Sequence, residues 1–162
     1  MTTVSERAEL ARTFIQSLVK GTAVPDRVTF DHTALGGLTV TEVAEGRVVC
    51  EMPVTDKVCN RYGTLHGGAA ATLVDVVTTA ALLTASPHSG VSVTLSATYV
   101  AAMPGGPGEV VVVDARVTRV GRHLANLSAE LRRKATGQVV VTGTHTKFLQ
   151  AYVPIRNVRF GK

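Results

Sequence analysis

A single carboxylate, Asp75, interrupts the apolar run Leu65-His66-Gly67-Gly68-Ala69-Ala70-Ala71-Thr72-Leu73-Val74-Asp75-Val76-Val77-Thr78-Thr79-Ala80-Ala81-Leu82-Leu83. A charge withdrawn from water loses hydration worth roughly several kcal/mol unless it is paired, protonated or facing a wet cleft. Active sites use such placements to tune a catalytic acid or base. The bland alternative is an Asp on the solvated side of an amphipathic helix. Ala71, Leu73, Val74, Val76 and Val77 leave little polar side for it, although Thr72, Thr78 and Thr79 could supply a narrow one. Gly67 stands where a loop becomes this helix, so its N–H can point at an anion with the helix dipole behind it. Asn60, just upstream, offers both a donor and an acceptor, or else holds an Asx-turn.

These residues need elements to carry them. Val4 to Lys20 predicts an amphipathic helix, with Leu10, Phe14, Leu18, Val4 and Ile15 on one side and Glu6, Arg7, Arg12 and Gln16 on the other. Gly21 to Gly37, with Pro25 and Gly36-Gly37, reads as a turn-rich connector. Leu38 to Ala44 and Arg47 to Pro53 are β-branched and joined by Glu45-Gly46, a tight hairpin. The long helix spans Leu65 to Ala85 and ends at Ser86-Pro87 and Ser89-Gly90. Four strands follow: Val91 to Val100, Glu109 to Arg119, Leu124 to Arg133 and Val139 to Leu149, with a period of two in Val111, Val113, Ala115 and Val117. Short turns between them predict an antiparallel meander. The expected whole is one α+β domain whose antiparallel sheet wraps a single long central helix, with an N-terminal helix at 4–20, a core at about 38–149 and a tail at 151–162.

Composition removes several functions. At 162 residues the chain can bury a core without metal or disulfide support. Cys50 and Cys59 have no second Cys or His pair at zinc spacing, so no metal site is expected and a reduced intracellular compartment fits best: the cytoplasm, with the mitochondrion as the alternative. The 17 Lys and Arg exceed 12 Asp and Glu by a formal +5, but they are scattered and aromatics are only 4%, which argues against a nucleic-acid surface. A modest positive field would also attract a small polyanion such as a nucleotide's phosphates. The run from Leu65 to Ala85 carries Asp75, His66 and four threonines and opens on Gly-Gly, so it reads as a core helix and not a membrane span.

Taken together, Asn60-Arg61-Tyr62-Gly63-Thr64-Leu65-His66-Gly67-Gly68, Asp75 in the helix, and Gly90-Val91-Ser92-Val93 resemble the hotdog-fold acyl-CoA thioesterases, in particular the thioesterase superfamily member 2 group related to the phenylacetic-acid-degradation thioesterases. The likeness extends from about Gly46 to Leu149 and includes Val49-Cys50-Glu51-Met52, Lys134-Ala135-Thr136-Gly137 and His145-Thr146-Lys147. Thr94 stands where animal relatives are expected to carry an acidic side chain.

The resemblance implies hydrolysis of an acyl-CoA to a fatty or aryl acid and coenzyme A, with no cofactor. It makes Gly67 the oxyanion-hole donor and Asp75 the general base or direct nucleophile. Asn60 would hold the thioester carbonyl or the water, and Ser92 would orient the water. His66 either fixes the loop or the carbonyl, or is structural. It further implies that the turn Arg119-Val120-Gly121-Arg122-His123 meets the nucleotide phosphates, that Tyr99 lines the pantetheine or acyl tunnel, and that the site is shared across a homodimer, itself half of a homotetramer. Asn60 and Gly67 of one chain would face Asp75 and Ser92 of the other. His145 reads as structural, and the remaining histidines, on turns or at the helix start, offer Ser92 no partner for a Ser-His-Asp nucleophile. A dehydratase-like hotdog enzyme and a non-catalytic acyl-thioester-binding module are the rival readings.

Overall fold

Thr3 and Glu6 start the first helix by reciprocal capping. The Thr3 hydroxyl accepts from the Glu6 N–H at 3.2 Å, and the Glu6 carboxylate accepts from the Thr3 N–H at 2.6 Å, which occupies donors a helix start leaves open. In the computed structural model, which describes residues 3–21 and 29–149, helix α1 runs Val4–Val19. The expectations for the side chain of Val4, for Pro25 and for the tail 151–162 fall outside the described residues. Ala11 and Ile15 form the buried seam of α1, with Phe14, Leu18 and Val19 half-buried beside them. Leu10, expected on this seam, is 45% exposed: each residue turns the helix by about 100°, which carries Leu10 off the line through Ala11 and Ile15. The connector that follows contains a short helix, α2 (Phe30–Ala34), not foreseen in its turn-rich composition; the Thr29 hydroxyl caps it, and the His32 ring bonds the Val19 carbonyl at 2.7 Å.

Strands β1 (Thr39–Ala44) and β2 (Arg47–Pro53) form the expected hairpin, with Gly46 at φ +71°, a left-handed conformation that glycine adopts without a Cβ penalty. After a single 3₁₀ turn at Asp56–Val58 the central helix α3 spans Gly67–Ala85, followed by β3 (Val91–Tyr99), β4 (Val110–Val120), β5 (Leu124–Arg133) and β6 (Val139–Phe148). Helix α3 begins two residues later than predicted because the N–H groups of Leu65 and His66 are taken by the carbonyls of Met103 and Val58, at 2.8 Å each, which holds both residues extended.

All six strands form one antiparallel sheet in the order β1-β2-β4-β5-β6-β3. The predicted four-strand meander is therefore corrected. Of those four strands only β4, β5 and β6 are sequential neighbours, and β3 lies beyond β6 at the sheet edge. The physical cause is the connector 101–109, which is stitched to the loop before α3: the Gly105 N–H donates to Gly63 and the Gly106 N–H to Val54, both at 2.9 Å. That delivers the chain to β2, so β4 pairs with β2 and not with β3.

The concave face of the sheet packs on α3 through Val111, Val113 and Ala115 of β4 and Ala129 and Leu131 of β5, all buried against Leu73, Val74 and Val77. Enclosed by sheet and α1, α3 buries thirteen of its nineteen residues, so its length and mean hydropathy of 1.6 are those of a core helix. The convex face carries paired charges, with Arg47 between Glu42 at 2.7 Å and Asp114 at 2.9 Å.

Candidate active site

Apart from its terminal residues Gly67 and Ala85, helix α3 is open to solvent along a strip of its N-terminal half formed by Gly68, Ala71, Thr72 and Asp75. These positions recur at i, i+3, i+4 and i+7, one helix face. The Asp75 side chain is 47% exposed, so of the alternatives open to this carboxylate it is the one facing water that the structure shows. Among the described residues its oxygens accept no hydrogen bond; their nearest basic neighbour is His145 Nε2, 3.8 Å away.

His145 is the main functional candidate that the sequence reading missed. It lies on the helix-facing side of β6 and is 1% exposed. Its Nε2 stands 2.9 Å from Ser92 Oγ and its Nδ1 2.8 Å from Thr78 Oγ1. The expectation that no histidine partners Ser92 is thus corrected. The constellation is nevertheless not that of a serine nucleophile: Ser92 and Asp75 share the Nε2 side of the ring, whereas a triad needs the acid on the other nitrogen. Burial and the charge of Lys147 push the His145 pKa down to about 4 against the pull of Asp75, which makes it a poor base for a serine hydroxyl at neutral pH.

Lys147, two residues on and on the same face, was also missed. It is 5% exposed, its ammonium donates to Thr79 Oγ1 at 2.8 Å, and Thr79 in turn donates to the Asp75 carbonyl at 2.7 Å. Burial lowers the Lys147 pKa, while the Asp75 charge raises it. The signal was present in β6: Thr142, Thr144 and Thr146 alternate as a solvated row, which sends Gly143, His145 and Lys147 to the opposite face.

Ser92 reaches this group through a β-bulge. Ser92 pairs with Lys147 and Thr94 with Thr146, so Val93 is an extra residue on β3. The bulge lets Ser92 share the inner face with Leu95 and Ala97 despite the odd spacing.

A second cluster surrounds the start of α3. His66 is the N-cap, its Nδ1 accepting from the Gly68 N–H at 2.9 Å. The Gly67 N–H, on the first helical residue, finds no acceptor among the described residues. Tyr99 donates its hydroxyl to the Gly67 carbonyl at 2.8 Å, and a Cβ at Gly67 would lie 3.2 Å from that hydroxyl. Asn60 closes an Asx-turn: its Oδ1 accepts from the N–H groups of Tyr62 at 2.9 Å and Thr64 at 3.3 Å, and its Nδ2 donates to Thr64 Oγ1 at 2.8 Å. One amide hydrogen remains uncommitted among the described residues. Asn60, Gly67, Tyr99 and Met103 line a cavity of about 360 Å³.

The structure gathers the predicted residues into two groups, Asn60 and Gly67 at the start of α3 and Asp75 and Ser92 around His145. Gly67 and Asp75 are eight residues apart on one helix, about 12 Å along its axis, too far to act on one carbonyl. The basic turn forms a third feature. Arg119, Arg122 and His123 are exposed, and the Gly121 N–H donates to Leu124 at 2.8 Å. The His123 ring stacks on Phe148, and neither arginine makes an ion pair among the described residues. The turn lies at the Ser92 end of the sheet, just past the row Ala125, Lys147 and Ser92. Both thiols are held up in pKa by burial, Cys50 to about 12, with Asp56 adding to the effect at Cys59, which disfavours the thiolate at both. Among the described residues no three His, Cys, Asp or Glu side chains gather to hold a metal ion.

A six-stranded antiparallel sheet wrapped around one long helix is the hotdog architecture. Residues 62–144 match the thioesterase superfamily, and the chain belongs to it. It is 46% identical over 116 residues to acyl-coenzyme A thioesterase 13 of Homo sapiens, covering 71% of this chain and 81% of that protein. The crystal structure of zebra fish thioesterase superfamily member 2 superposes with a TM-score of 0.78 at 35% identity, covering 93% of this chain and all of that one. A thioesterase protein from Streptococcus pneumoniae solved with coenzyme A shares the fold, with a TM-score of 0.66 at 23% identity over 70% of this chain and 86% of that one.

Proposed function

We propose that this chain hydrolyses an acyl-CoA thioester to a free fatty or aryl acid and coenzyme A, in a site shared by two copies. The separation of about 12 Å between Gly67 and Asp75 on one helix carries this reading. Each copy holds half of the chemistry, and a second copy can bring its Asp75 against the first copy's Gly67. The free edge of β3 supplies the means, because Val91, Val93, Tyr99 and Val100 are 56–62% exposed along an edge open to pairing. Two such dimers assembling into a tetramer is the expected solution state.

In this arrangement the thioester carbonyl lies against the Gly67 N–H of one copy, with the free amide hydrogen of Asn60 beside it. Neutral His66 carries its proton on Nε2, since Nδ1 accepts from Gly68, and so can add a further donor. Asp75 and Ser92 of the other copy hold a water. Asp75 takes the water's proton as its oxygen attacks the carbonyl carbon, and the oxyanion develops against the Gly67 N–H and the helix dipole. Collapse of the adduct breaks the C–S bond and releases the coenzyme A thiolate. Direct attack by Asp75 is the alternative role, and the Ser92 hydroxyl, a second anchor for water, favours the base. Residues and water suffice for every step. Arg119, Arg122 and His123, around Gly121, meet the nucleotide phosphates, and Tyr99 borders the acyl or pantetheine channel.

Subunit mixing tests the reading. Asn60→Ala and Asp75→Asn chains, each poor alone, should regain acyl-CoA hydrolysis when mixed and allowed to exchange, because some mixed dimers contain one intact site. Verified exchange with no gain over either parent refutes the shared site.

A further inference from the structure

A row of polar groups runs from the buried face of α3 to the exposed edge strand: Val74 carbonyl, Thr78 hydroxyl, His145 ring, Ser92 hydroxyl. Thr78 Oγ1 lies 2.6 Å from the Val74 carbonyl oxygen and 3.1 Å from that of Asp75. Two oxygens this close repel unless a proton lies between them, so the single Thr78 hydroxyl proton is committed to the helix backbone. Its lone pairs then face His145 Nδ1, at 2.8 Å, and that nitrogen must donate. A neutral imidazole with its proton on Nδ1 presents a lone pair at Nε2. Ser92 Oγ, 2.9 Å from Nε2, must therefore donate inward.

We propose that Thr78 is a positioning residue that locks His145 in its Nδ1–H tautomer and so fixes Ser92 as a donor toward the protein and an acceptor toward the site. On the thioesterase reading, a water at the site then gives one hydrogen to Asp75 and the other to Ser92, and its lone pairs are left free for the carbonyl carbon. With the opposite tautomer Nε2–H would donate to Ser92, whose own proton would turn outward and engage a lone pair of the water that is needed for the carbonyl carbon.

Neutrality of the ring is built into its surroundings. The charged groups facing it are Lys147 on its own strand and Asp75 on α3; Ser92 of β3 and Thr78 of α3 are uncharged, and its strand partners Leu95 and Leu127 are apolar. Burial and Lys147 together outweigh the attraction of Asp75 for a second proton.

Nitrogen NMR of histidine-labelled wild-type protein, with the His145 signal assigned from its loss in His145→Gln, reads the tautomer directly. A protonated Nδ1 and an unprotonated Nε2 are expected. Thr78→Val keeps the shape and removes the hydroxyl. It should populate the other tautomer and lower kcat by roughly tenfold, the scale of one lost hydrogen bond, at unchanged KM, and Thr78→Ser should restore both. An Nε2–H tautomer in the wild type, or a folded Thr78→Val protein with wild-type tautomer and kcat, overturns the proposal. A wild type that hydrolyses no acyl-CoA yet shows the Nδ1–H tautomer removes the thioesterase reading and supports the relay.

Discussion

Gly143 of β6 lies directly beneath Val74, so an alanine there should lift α3 off the sheet at the residue before Asp75. A Cβ at Gly143 would stand 2.7 Å from both γ-methyls of Val74 and 3.3 Å from its Cβ. Val74 is fully buried and has nowhere to retreat. Overpacking of this kind costs about 1–3 kcal/mol. Val74→Ala alone removes two methyl groups, about 1.6 kcal/mol in transfer energy and roughly 2–3 kcal/mol with the cavity included. Independent effects would cost the double variant about 3–6 kcal/mol. If the steric contact is the cause, the new methyl occupies the vacated space and the double variant loses only about 1–2 kcal/mol.

Urea unfolding of the four proteins at one fixed chain concentration measures this, since association shifts apparent stability. The Val74 carbonyl also anchors Thr78, so kcat should fall in Gly143→Ala and recover in the double variant. Additivity of the two single costs within about 0.5 kcal/mol would refute the contact and with it the claimed packing of helix on strand.

Three further outcomes are expected. Asp75→Asn should fold normally, because its carboxylate accepts no hydrogen bond among the described residues, yet lose about 10²–10⁴ in kcat as a missing base does; near-normal turnover in a folded variant removes Asp75 from the chemistry. Neutralising Arg119 and Arg122 together should raise KM for acyl-CoA with little change in kcat, and the effect should vanish with an acyl-pantetheine lacking the nucleotide; equal losses on both substrates would assign the turn to folding. Stability should fall as pH drops from about 6.5 to about 4, because over that window the unfolded state binds a proton that buried His145 refuses. His145→Gln should flatten this slope, and an unchanged slope would mean that another group sets it.

The elements themselves were legible because their periodicities are strong. Val111, Val113 and Ala115 alternate into the core as predicted, and β5 begins at Leu124 and ends at Arg133 as read. The place of β3 was not legible. It follows from hydrogen bonds between the connector 101–109 and a loop some forty residues earlier, which no local pattern reports. Of the site, Asp75 could be found because it breaks a pattern, and Gly67 because it sits at a boundary. His145 and Lys147 stayed hidden because a polar residue in a strand is ordinarily a solvent-facing one. Only the phase of the threonines beside them shows that they point at the helix.

That phase bears on how Asp75 can work. A carboxylate sealed in an apolar helix would tend to hold its proton and serve badly as a base. Here the helix opens at Asp75, and the nearest fully buried groups are a neutral histidine and a cationic lysine rather than a second acid. Lys147 sits where it opposes protonation of His145, because its charge disfavours the cationic ring. Burying an ammonium costs several kcal/mol unless it is compensated, and the compensation available is Thr79 and the field of Asp75. The lysine thus depends on the carboxylate. Lys147→Met should accordingly keep or raise stability, as replacing a buried ion by an apolar chain often does, while lowering kcat and raising the pKa of His145. A His145 titration unmoved in Lys147→Met, followed by the same nitrogen signals that report its tautomer, would show that the two side chains do not share one electrostatic site.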